Sequence, residues 1–111
     1  MRIEKVDMGE VVMLKLSGNI SYEDVSTLKS TLHRLVAKGK KQFAIDCENM
    51  DSLDSSALAT FLSAYKRIKD GSIAFFNLSP HVDRVFRETH LDEVFRVCPS
   101  MEDAMSAFSH S

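Results

Sequence analysis

The sequence predicts a single α/β domain, a mixed sheet of four to five strands with about four helices packed on it. Three observations predict it. Short apolar runs rich in β-branched and aromatic residues alternate with longer segments whose apolar residues recur every three or four positions, the marks of strands and amphipathic helices in turn. The first two apolar runs are separated by only a few turn-forming residues, so the chain opens with a hairpin before the alternation begins. Its 111 residues suffice for one hydrophobic core and are too few for two.

Arg2 to Val6 and Val11 to Leu16 read as the first two strands, joined by the turn residues Asp7-Met8-Gly9-Glu10. The second run is nearly continuous in apolar character, which predicts a central place in the sheet. Ser17-Gly18-Asn19 is expected to break it. Ser21 followed by Asp24 has the capping-box pattern, with Ile20 and Val25 spaced as a hydrophobic staple. The helix they open buries Val25, Leu28, Leu32, Leu35 and Val36, and Gly39 closes it.

Phe43-Ala44-Ile45 is the next strand, and the following Asp46-Cys47-Glu48-Asn49-Met50-Asp51-Ser52-Leu53 is too polar to continue a buried one. A helix follows, with Leu58, Phe61, Leu62, Tyr65 and Ile68 on one face and Thr60, Ser63, Lys66, Arg67 and Lys69 on the other. Any of Asp54, Ser55 and Ser56 could cap it. A strand that feeds a helix through an acidic loop, with serines at the helix start, predicts a site at the end of the sheet. Ser72 to Phe76 is a further core strand, ended by Asn77. Ser79-Pro80 opens a helix with Val82, Val85 and Phe86 inside. Val94-Phe95-Arg96-Val97 reads as an edge strand, and Ser100 with Asp103 caps a last helix through Met101, Ala104, Met105 and Phe108. No repeat, low-complexity stretch or linker interrupts the chain.

A formal net charge of −2 argues against nucleic-acid binding, because phosphate contacts need clustered Lys and Arg. The one basic cluster, Lys38-Gly39-Lys40-Lys41, reads as a solvated turn. No apolar run approaches the roughly 18 residues of a membrane span, and Met1 to Lys5 lack the apolar core of a signal peptide, so a cytoplasmic protein without membrane insertion is expected. Cys47 and Cys98 fit reduced thiols. The histidines His33, His81, His90 and His110 have no ligand spacing, so neither a metal nor a cofactor is expected.

Enzymatic readings find little support. A nucleophilic serine needs a base within reach and donors for an oxyanion, yet there is no Gly-x-Ser-x-Gly elbow and no histidine near Ser55 or Ser56 in sequence. The four glycines are too scattered for a phosphate cradle. Two readings of Asp54-Ser55-Ser56 stay open: they cap a helix and do nothing more, or a serine accepts a phosphoryl group. Helix starts favour anions, whereas Asp46, Glu48, Asp51 and Asp54 oppose one. Strand ends and the helix start should converge, so a partner-binding surface is expected at Asn19, Ser21, Asp51, Asp54, Ser55, Ala57 and Thr60.

At Asp54-Ser55-Ser56-Ala57-Leu58 the sequence resembles the STAS domain family, and within it the bacterial anti-sigma-factor antagonists. Leu16-Ser17-Gly18-Asn19-Ile20, Ile45-Asp46, Leu53-Asp54-Ser55-Ser56, Leu78-Ser79-Pro80 and Glu102-Asp103-Ala104 are similar to family motifs in the same order. The resemblance covers nearly the whole chain and implies one STAS-like domain over residues 1–111, a regulator and not an enzyme. It implies Ser56 as the phosphorylation site, with Asp54 the acidic residue beside it. The implied partners are an anti-sigma factor with serine kinase activity and a serine phosphatase. By the same resemblance, the unphosphorylated form binds the anti-sigma factor and frees sigma, and the phosphorylated form lets go. Ala57 stands where the family usually has Gly, and Ser21 where it has an acidic residue. The family also implies an alternative, a non-phosphorylated adaptor subunit of a lipid-transport or signalling complex.

Overall fold

The computed structural model describes residues 1–109, so His110 lies outside the described residues. The strands are β1 (Arg2–Asp7), β2 (Val11–Ile20), β3 (Gln42–Asp46), β4 (Met50–Leu53), β5 (Ser72–Phe76) and β6 (Arg96–Cys98). The helices are α1 (Val25–Ala37), α2 (Ser55–Arg67), α3 (Pro80–Glu88) and α4 (Met101–Ser109). Single 3-10 turns lie at Tyr22–Asp24 and Leu91–Glu93.

The sheet runs β1-β2-β3-β5-β6, with β4 paired to the far end of β2. Only the opening hairpin is antiparallel; β2, β3, β5 and β6 lie parallel, as connections through helices require. Strand β2 is internal, and β3 is central. Alternation along β3 and β5 sends Phe43, Ile45, Ile73 and Phe75 to one face, where they meet Leu28 and Leu32 of α1, Phe61 of α2 and Phe86 of α3. Ala44, Ala74 and Phe76 point to the other face, where α4 covers them through Ala104 and Phe108. Phe75 is the hub of the larger core, its ring 4.7 Å from Phe86, 5.0 Å from Phe61 and 5.3 Å from Phe95 between centroids.

Six strands stand among the described residues where four to five were expected. The added one is β4, drawn from the polar stretch read as loop. It forms because β2 does not stop at Ser17-Gly18-Asn19. Gly18 takes φ +89°, the register shifts between Gly18 and Asn19, and the strand continues to Ile20, giving β4 an edge to pair with. No helix of the described residues is long and apolar enough to cross a membrane.

Candidate functional site

Parallel strands put their carboxyl ends on one edge of the sheet, and there β2 and β4 deliver the chain into the 3-10 turn and into α2. The Gly18 N–H donates to the Asn49 carbonyl at 2.9 Å, and the Asp54 N–H to the Ile20 carbonyl at 3.0 Å. Beyond the shifted register the Ser52 hydroxyl donates to Asn19 Oδ1 at 2.8 Å. The loops ahead of α1 and α2 are thereby stitched side by side.

Asp54 joins them. Of the three residues able to cap α2, it is the one that does: Oδ1 accepts from the Ala57 N–H at 3.0 Å, while Oδ2 accepts from the Tyr22 N–H at 3.0 Å, across 32 positions of chain. Ser21 and Asp24 form the expected capping box, with Asp24 Oδ2 accepting from the Ser21 N–H at 3.0 Å. That hydrogen bond holds the Asp24 carboxyl below its ordinary pKa. The box opens a 3-10 turn, and α1 proper begins only at Val25.

Ser55 and Ser56 occupy the first two positions of α2, Ser55 exposed and Ser56 half-buried. Asn19 and Asp51 are exposed beside them, and Ser21 and Asp54 are half-buried. The pairing of β2 with β4 and the two bonds of Asp54 bring the segments carrying these residues to the same end of the sheet. Ala57 and Thr60 do not share the surface. Ala57 has no exposure, and its methyl is packed into the core. Thr60, expected on the outer face, is 5% exposed, and its hydroxyl donates to the Ser56 carbonyl at 3.0 Å. The reason is the small residues: Ala57, Thr60 and Ala64 are buried together with Leu58 and Phe61, which widens the inward face beyond the one that large apolar side chains alone define. Tyr22 and Asp24 belong to the site although sequence reasoning did not place them in it. The Ser21-Asp24 box was the available signal.

Just below the surface Asp46 is 8% exposed, accepting from the Glu48 N–H at 3.0 Å and from Asn77 Nδ2 at 3.3 Å. Burial pushes the neighbouring Cys47 thiol up to about 12, so it does not supply a thiolate. Among the described residues no hydrogen bond joins Ser55 or Ser56 to a histidine, and no three His, Cys, Asp or Glu side chains are grouped to hold a metal. What the arrangement offers chemically is a partly exposed hydroxyl at a helix start, set in an acidic surface.

The model of the STAS domain matches residues 2–104. The chain is 27% identical over 108 residues to BtrV of Bordetella bronchiseptica, named as a candidate anti-sigma factor antagonist, an alignment spanning 96% of this chain and 91% of that one. Among solved structures, an anti-sigma factor antagonist from Mycobacterium paratuberculosis superposes with TM-score 0.88 at 23% identity, covering 97% of this chain and 93% of its own. The Bacillus cell fate determinant SpoIIAA in its phosphorylated form superposes with TM-score 0.73 at 18% identity, over 96% and 98% of the two chains. At such identities the structural likeness is one of fold.

Proposed function

The chain belongs to the STAS domain family, and from that premise we propose that it is an anti-sigma factor antagonist, a binding protein switched by phosphorylation of Ser56. In this reading the unphosphorylated chain holds an anti-sigma factor that is also a serine kinase, sigma is freed, and a serine phosphatase resets the phosphorylated form. The observation that carries it is Ser56 itself, a half-exposed hydroxyl at the second position of a capped helix, beside the Asp54 carboxylate.

Release follows from local charge. A phosphoryl group adds about −1.5 to −2. The free N–H groups at the helix start tolerate it, while Asp51 and Asp54 offer it no cation to reorganise around. Each tenfold loss of partner affinity needs only about 1.4 kcal/mol, which desolvating a dianion against a fitted surface readily supplies. Refolding is unnecessary.

The test is phosphorylation by the cognate kinase, read by intact mass. Ser56→Ala should remain unmodified and still bind the partner, and Ser55→Ala should be modified normally. The opposite pattern moves the acceptor to Ser55. A second reading, a non-switching adaptor, is favoured by the same acidic surface in so far as it opposes an added dianion. Protein isolated from its native cells without phosphate and together with a transporter ATPase would establish that reading instead.

A further inference from the structure

The two segments that build the site carry charge of one sign only. Between Lys15 and Lys29, and again between Lys41 and Lys66, there is no Lys or Arg; the acidic residues in those stretches are Glu23, Asp24, Asp46, Glu48, Asp51 and Asp54. Among the described residues the cationic group paired with them is the Met1 amino group, 3.5 Å from Asp24 Oδ1. All of them but the buried Asp46 reach the surface, and a surface of this kind attracts and orients a positive one.

Out of this acidic rim stands an aromatic ring. Tyr22 is 70% exposed, more than any other large apolar or aromatic side chain among the described residues. Its backbone, by contrast, is fixed on every side. The Tyr22 N–H is held by Asp54 Oδ2 at 3.0 Å, and its carbonyl accepts from the Val25 N–H. The residues flanking it are closed by the Asp24 N–H to the Ser21 carbonyl at 2.9 Å and by the Asp54 N–H to the Ile20 carbonyl at 3.0 Å. A ring on a rigid base has only its own side-chain rotations to lose on binding, which is why preorganised Tyr side chains make effective interface anchors. The same Asp54 carboxylate that holds the Tyr22 backbone caps α2 at Ala57, which ties the base of the ring to the helix start that carries Ser56.

We propose that Tyr22 is the anchor of the partner interface, seated in an apolar slot of an electropositive partner surface, with Asp54 holding it beside Ser56. The proposal rests on the anti-sigma factor being the partner. It makes Tyr22 the side chain that supplies affinity and Ser56 the one that withdraws it.

Binding of the purified anti-sigma factor of the source cell to the full chain tests it, with Tyr22→Ala, Tyr22→Phe and, as a remote exposed control, Val94→Ala. The expected result is a loss of roughly 30-fold or more for Tyr22→Ala, retention within about threefold for Tyr22→Phe, and no change for Val94→Ala, since a central aromatic anchor carries that much. The association rate should fall as salt is raised. Because the ring lies in water, Tyr22→Ala should unfold at the wild-type temperature, which separates lost binding from lost folding. Tyr22→Ala binding within about threefold of wild type overturns the anchor and leaves the antagonist reading standing. Failure of the wild-type chain to bind the anti-sigma factor overturns both.

Discussion

Removing the Asp54 side chain tests how the site is assembled. Asp54→Ala deletes two hydrogen bonds at once, the cap on Ala57 and the cross-link to Tyr22. A lost N-cap costs about 1 kcal/mol. The bond to Tyr22 is solvent-exposed, so the lower part of the usual range, about 0.5–1 kcal/mol, applies to it. Their sum, about 1.5–2 kcal/mol, corresponds to a fall in Tm of about 6–8 °C for a domain of this size. Asp54→Asn separates the two arms. Asparagine caps as well as aspartate but has one carbonyl oxygen, and its NH2 would face the Tyr22 N–H, so about half the loss is expected. Urea unfolding followed by circular dichroism gives the energies, and amide exchange gives the arms: Asp54→Asn should unprotect Tyr22 and spare Ala57, and Asp54→Ala should unprotect both. A Tm within about 2 °C of wild type for Asp54→Ala, or a Tyr22 amide that exchanges at one rate in all three proteins, would refute the bridge.

Other expectations follow from the same structure. Phosphorylated and free protein should differ in amide shifts around Asp51 to Thr60 and Asn19 to Tyr22 and agree along α4; widespread shifts through α4 and the core strands would replace local release with refolding. Cys47, with its thiol pushed up to about 12 by burial, should stay unmodified by a thiol reagent at pH 8 until the protein is denatured, whereas Cys98, half-buried and with its thiol also raised by burial, should react slowly in the native state. Two fast-reacting native thiols would contradict this. The Asp24 carboxyl is held low by the Ser21 N–H, so its stabilisation is complete above the unfolded-state value near 3.9 and is lost as pH falls through the lower folded-state value. Asp24→Asn should therefore flatten the acid side of the stability curve; an unchanged slope counts against that hydrogen bond. Phe75→Ala should cost about 3–5 kcal/mol in urea unfolding, because its ring touches three others, and a loss below about 1 kcal/mol would mean that the aromatic hub is not packed as described.

Most of the fold was legible because its signals are local. The apolar runs of β3 and β5, the box at Ser21, the cap at Ser79 and the spacing within α1 each depend on residues a few positions apart. Strand β4 was not legible, since Met50-Asp51-Ser52-Leu53 becomes a strand only through the edge that β2 offers after Gly18. Phe95 lies just before β6, which starts at Arg96, and its ring packs into the core against Tyr65, Phe75 and Phe86, contacts distant in sequence that its local pattern does not show. The convergence of Asn19, Ser21, Asp51, Asp54, Ser55 and Ser56 could be foreseen from the geometry of strand ends. Thr60 was misplaced because burial of small and polar residues depends on which face packs inward, and the large apolar residues of α2 do not settle that alone. Tyr22 fell outside every apolar stripe, so neither its fixed backbone nor its exposed ring could be read from periodicity.

The most direct measurement of the central claim is the dissociation constant for the anti-sigma factor, taken on one preparation before and after phosphorylation of Ser56. A loss of roughly 100-fold, about 2.7 kcal/mol, is predicted, with the circular dichroism spectrum unchanged. Equal affinity of the two forms, within about threefold, would contradict a switch at Ser56.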